Sequence, residues 1–112
     1  MSKKILIIDD DKNFISKIVS KYCNEDCSFL IADSLERARN IMKYNDFDII
    51  IANVKIPGGN SLEFKKEIKN PETKFLFMSN FDSDLQYVKS NGYQCYFKYD
   101  LDISLRNALQ NV

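Results

Sequence analysis

Ile5-Leu6-Ile7-Ile8-Asp9-Asp10-Asp11 sets four large apolar residues directly ahead of three carboxylates. A continuous apolar run of that length suits a strand buried on both faces, as in a parallel sheet, because a strand with one wet face would alternate polar and apolar residues. The pattern recurs at Phe29-Leu30-Ile31-Ala32, Ile49-Ile50-Ile51-Ala52 and Phe75-Leu76-Phe77-Met78, and more weakly at Cys95-Tyr96-Phe97. Between these runs the apolar residues fall at helical spacing: Phe14, Ile15, Ile18, Val19 and Tyr22; Leu35, Ala38, Ile41 and Met42; Leu105, Ala108, Leu109 and Val112. Asp33-Ser34-Leu35-Glu36 and Asn60-Ser61-Leu62-Glu63 fit capping boxes that would open the second and third helices, and Asn70-Pro71 is expected to close the third. Asp82 to Ser90 reads as the shortest helix, with Leu85 and Val88 facing inward. Five strands alternating with five helices give a (βα)5 α/β domain, and right-handed crossovers then require a doubly wound parallel sheet. With no linker, repeat or low-complexity stretch, residues 1–112 read as a single domain.

Composition narrows the chemistry. A domain of 112 residues hides roughly two thirds of its unfolded surface and needs no disulfide or metal staple. Sixteen basic residues balance sixteen acidic ones, 9 against 9 through Ile56 and 7 against 7 after it, so neither half offers the basic surface that nucleic-acid binding needs. No apolar run exceeds four residues, which leaves no membrane span or secretory segment and points to the cytoplasm. Cys23, Cys27 and Cys95 are then expected to be reduced thiols acting as small buried hydrophobes. The absence of histidine removes His-based acid–base catalysis, Ser-His triads and Cys/His zinc sites.

In an open α/β sheet, ligands sit beyond the carboxyl ends of the strands. The first strand ends in Asp9-Asp10-Asp11, the third in Asn53, the fourth in Ser79 and the fifth in Lys98. Acids, an amide, a hydroxyl and a lysine therefore converge on one patch. A structural reading of the same residues makes the acids turn and first-turn residues of the first helix, Ser79 a strand-end cap and Lys98 the partner of Asp9 or Asp10 in a salt bridge.

The chain resembles the receiver domain of two-component response regulators over almost its whole length. The resemblance is carried by Ile5 to Asp11, by Asp48-Ile49-Ile50-Ile51-Ala52-Asn53-Val54-Lys55-Ile56-Pro57-Gly58, by Phe77-Met78-Ser79 and by Phe97-Lys98. It implies a flavodoxin-like strand order of 2-1-3-4-5, with Asp10 brought next to Asn53. By position it implies Asp9 and Asp10 as an Mg²⁺-binding acid pair, Asn53 at the phosphoacceptor position, and Ser79 and Lys98 as the groups that engage a phosphoryl oxygen. Asn53 departs from the aspartate the family uses, and an acyl phosphate needs a carboxylate nucleophile that a carboxamide cannot supply. Asn80 after Ser79, Tyr99 after Lys98 and Cys95 at the place of the switch aromatic depart as well, and Gly92 to Lys98 is one residue short.

Together these departures favour a pseudo-receiver, not an enzyme, that acts by binding other signalling proteins, with any Mg²⁺ site weak or vestigial. The alternative is a phosphorylatable receiver carrying an Asp-to-Asn change at position 53. A small nucleotide binder is a more distant reading, since Gly58, Gly59 and Gly92 form no Gly-rich loop after the first strand. Tyr87, Tyr93, Tyr96 and Tyr99 cluster from the fourth helix to the end of the fifth strand. The family binds partners there, which makes Tyr87, Tyr96 and Tyr99 candidate anchors for a histidine kinase, an output protein or a second copy of the chain.

Overall fold

The computed structural model describes residues 3–22, 26–98 and 105–106. The chain runs through β1 (Lys3–Ile8), α1 (Lys12–Tyr22), β2 (Cys27–Ala32), α2 (Leu35–Met42), β3 (Ile49–Asn53), β4 (Lys55–Ile56), β5 (Gly59–Asn60), α3 (Ser61–Lys65), β6 (Lys74–Ser79), α4 (Asp82–Ser90) and β7 (Cys95–Phe97). Five strands form one parallel sheet in the order β2-β1-β3-β6-β7, while β4 and β5 make a separate antiparallel ribbon. The expected order is therefore met, with the ribbon inserted after the third sheet strand.

Strand pleating divides the core. Ile5, Ile7, Ile49 and Ile51 point to one face and meet Phe14, Ile18 and Tyr22 of α1, joined by Met78 and Leu105. Leu6, Ile8, Ile50 and Ala52 point to the other and meet Leu35, Ala38, Phe47 and Phe64. On the far side of that second face, Val54, Leu62 and Phe77 pack on Val88 of α4. Central strands covered on both faces need apolar side chains in both directions, so β1 and β3 read as unbroken isoleucine-rich runs.

Five local expectations need correction. Leu30 and Ile31 are 38% and 44% exposed, because β2 is an edge strand that pairs only with β1. Among the four helices whose bounds lie within the described residues the shortest is α3, five residues long, whereas Asp82–Ser90 forms a nine-residue helix. α3 stops at Lys65, and Asn70 instead accepts the Glu72 N–H at 2.9 Å in a turn well beyond it. At α2 the cap is Ser34, whose hydroxyl accepts the Arg37 N–H at 3.2 Å, while Asp33 pairs with the Arg37 side chain. At α3 the expected Asn60 cap holds, accepting the Glu63 N–H at 3.2 Å. Cys27 and Cys95 are only partly buried, since each lies on an edge strand; Cys23 lies outside the described residues. Of the expected fifth helix, Leu105 and Arg106 are helical and the rest lies outside the described residues.

The ribbon depends on its turn. Pro57 and Gly58 link Ile56 to Gly59, and Gly58 has φ +100°, a conformation that side-chain-bearing residues rarely adopt. The Pro57 carbonyl accepts the Leu35 N–H at 3.0 Å, tying the turn to the start of α2.

Candidate functional site

The carboxyl ends of β1, β3, β6 and β7 share one edge of the sheet. Asp9, immediately after β1, is fully buried and held by its own N–H, which donates to Ala32 O at 3.0 Å. Its Oδ1 accepts the Asp11 N–H at 3.1 Å. Asp11 in turn caps α1, with Oδ1 accepting the Phe14 N–H at 3.2 Å. Lys98, from the end of β7, brings Nζ to 2.9 Å from Asp9 Oδ2 and 3.2 Å from Asp11 Oδ2. The ammonium also lies 4.9 Å from the centre of the Phe14 ring.

Burial raises the Asp9 carboxyl above the ordinary carboxylate range, opposed by the hydrogen bond and charge of Lys98. Asp11 moves the other way, lowered first by the Phe14 N–H and then by Lys98. The expected salt bridge thus forms with Asp9, but its second acid is Asp11 rather than Asp10. Successive residues leaving a strand turn to opposite sides, which puts Asp9 and Asp11 together and sends Asp10 outward. Asp10 is exposed and borders a cleft with Lys12, Asp33 and Arg37. The register pairing Ile8 with Ala52 makes Asp9, not Asp10, level with Asn53.

Asn53 ends β3 with its side chain partly buried, and its Nδ2 donates to Lys55 O at 2.6 Å. A carboxylate at this place would set an acceptor against an acceptor. Ser79, at the end of β6, is buried, with its Oγ accepting the Phe81 N–H at 3.0 Å and donating to Asp84 Oδ2 at 2.6 Å. Asp84 is 3% exposed, and its other oxygen lies 3.6 Å from the Nζ of Lys55, a side chain that is itself largely in solvent.

Sequence reasoning missed Asp84 altogether, and for Asp11, which it placed among the turn and first-turn acids of the first helix, it missed the pairing with Lys98. The signal for Asp84 lay in helical spacing, since it stands four residues before Val88 and so on the buried side of α4. For Asp11 it was position, one residue ahead of α1, where an aspartate caps.

Of the aromatic candidates, Tyr87 on α4 is 43% exposed and Tyr96 in β7 is half-buried; Tyr99 lies outside the described residues. Tyr93 packs on Phe77 with ring centres 5.6 Å apart, and the Lys65 ammonium lies 5.0 Å from its ring centre. Nearby Cys95 has its thiol pushed up to about 11, first by burial and then by the charge of Asp84.

The residues present fit Mg²⁺ poorly. The ion is ordinarily held through one or two carboxylates with water completing its shell, yet Asp9 is paired with Lys98, Asp10 is exposed and stands apart from that pair, and Asn53 carries no charge. Among the described residues no group of three or more acidic, Cys or His side chains is arranged to hold a metal ion. Nor, among them, is any helix long and apolar enough to cross a membrane.

The response regulator receiver domain model matches residues 5–97. Among solved structures, a two-component response regulator from Clostridium difficile is 23% identical with a TM-score of 0.77, covering 97% of each chain. The chemotaxis response regulator CheY4 of Vibrio cholerae is 18% identical with a TM-score of 0.77, over 96% of this chain and 99% of that one. The response regulator TrrA from Thermotoga maritima, in complex with Mg²⁺ and beryllofluoride, is 20% identical with a TM-score of 0.77, over 95% of this chain and 98% of that one. No curated protein sequence matches. The chain belongs to the response regulator receiver domain family, the receiver class of two-component signalling, and has its CheY-like, flavodoxin-type fold.

Proposed function

We propose that this receiver forms no acyl phosphate and signals as a protein-interaction module in one resting conformation. The observation that carries the reading is Asn53, whose amide donates to Lys55 O where the family has a nucleophilic carboxylate. The pairing of Lys98 with Asp9 and Asp11 supports it, because the cation that would meet a phosphoryl group already balances two internal carboxylates. On this reading the domain turns over no substrate, and Mg²⁺ binds with millimolar or poorer affinity as an order of magnitude.

Asp9, Asp10, Asn53, Ser79 and Lys98 are then the remnant of a phosphorylation site, serving structure. The partner is a signalling protein, a histidine kinase or an output protein, reached through the α4–β7 face on which Tyr87 is exposed. Intact mass after incubation with an acyl phosphodonor and Mg²⁺ tests the reading. An unchanged mass is expected, and a hydroxylamine-labile gain of one phosphoryl group would overturn it.

A further inference from the structure

Ser79 owns a single hydroxyl proton, and that proton is already given to Asp84. The hydrogen bond, at 2.6 Å, joins a neutral donor to a carboxylate, the shorter and stronger kind. A phosphoryl oxygen can only accept, so it would need the same proton. The two anions compete for one donor.

The surroundings favour Asp84. It sits in the first turn of α4, where the helix dipole stabilises negative charge, and Lys55 lies 3.6 Å away on its other side. Phe81 opens α4 without any side-chain cap; its N–H instead donates to Ser79 Oγ, whose proton passes on to Asp84. The helix start is thus closed by a relay from the Phe81 N–H through Ser79 to Asp84, with the serine as its middle member. Moving the hydroxyl toward position 53 would break both bonds and leave a buried carboxylate short of a partner.

Building on the reading above, we infer that Asp84 is a positioning residue. It acts as an internal anion that holds the Ser79 hydroxyl and the β6–α4 junction in one arrangement and withholds the hydroxyl from position 53. Replacing Asn53 by aspartate would therefore restore the nucleophile without restoring a grip on the phosphoryl group.

Beryllofluoride binding in the presence of Mg²⁺, followed by amide chemical shifts, separates the claims. Asn53→Asp alone is expected to bind weakly, with little movement at Ser79 and Phe81. Asn53→Asp combined with Asp84→Ala is expected to bind roughly tenfold or more tightly, with large shifts at both residues, a factor typical of a hydrogen bond to a charged group. Adding Ser79→Ala to that pair should abolish the gain, which separates release of the hydroxyl from mere removal of a negative charge. Asp84→Asn keeps the side-chain volume and an accepting carbonyl, so it carries the same test with a smaller gain should the alanine variant fold poorly. Equal affinity with and without Asp84, or a gain that survives loss of the Ser79 hydroxyl, would overturn the inference while leaving the proposed function intact. Saturable binding by the wild-type chain would instead overturn the proposed function.

Discussion

At the scale of single residues, the Lys98 ammonium links the ends of β1 and β7 by meeting Asp9 at 2.9 Å and Asp11 at 3.2 Å. Removing one partner of a buried pair leaves an uncompensated charge, so Lys98→Met is expected to cost about 3–5 kcal/mol at neutral pH. The cost should depend on pH with a definite sign. Without Lys98, burial raises the Asp9 carboxyl further, and a raised folded-state pKa gives stability that is complete below the unfolded value and lost as pH rises through the folded one. Asp11 is lowered in the wild type, so its contribution is present above the unfolded value and fades as pH falls through the folded one. Both effects shrink the gap between wild type and variant on acidification. Denaturant unfolding of the two proteins at neutral pH and near pH 4 checks this, and a gap that widens in acid would contradict it. A second expectation concerns Cys95, whose thiol is pushed up to about 11. It should react with iodoacetamide at pH 8 far more slowly than an ordinary thiol, and Asp84→Asn should speed the reaction by removing a nearby charge.

At the scale of elements, the β4–β5 ribbon carries Lys55 toward Asp84 and is anchored to α2 through the Pro57 carbonyl. Gly58 makes its turn possible at φ +100°, so Gly58→Ala is expected to destabilise by about 1–2 kcal/mol, read from a urea midpoint shift at unchanged slope. The major strands were legible because burial on both faces demands apolar residues at every position, as in Ile5 to Ile8 and Ile49 to Ala52. The exposure of β2 was not, since Phe29-Leu30-Ile31-Ala32 has the same composition as a central strand and only the topology makes it an edge. The short α3 also escaped the reading: its Asn60 cap marks the start, whereas Lys65 and Lys66 carry no stop signal and the later Asn70-Pro71 turn misled. The nine-residue α4 hid its key residue for a similar reason. An aspartate in a first turn is ordinarily a surface acid, so its helical spacing from Val88 was a weak signal that gains meaning only from the buried Ser79 opposite Asp84.

At the scale of the whole molecule, the parallel sheet brings residues as far apart in sequence as Asp11 and Lys98 within 3.2 Å, and it sets Asn53 beside the end of β6. The positions at the strand ends were therefore readable once the strands were, but their pairings were not. Sequence spacing placed Asp9, Asn53, Ser79 and Lys98 on one edge, whereas side-chain direction decided that Asp11 rather than Asp10 meets the lysine and that Asp84 takes the serine proton. The Ser79 hydroxyl and the Lys98 ammonium are both engaged by carboxylates of the same chain, and on the proposed function this leaves phosphorylation no two-state element to bias. The most direct test of that function is the amide spectrum of the wild-type protein, recorded before and after addition of beryllofluoride and Mg²⁺ with Ser79, Asp84 and Lys98 as reporters. Unchanged shifts are expected at those three residues, and a saturable shift there would contradict the proposed function.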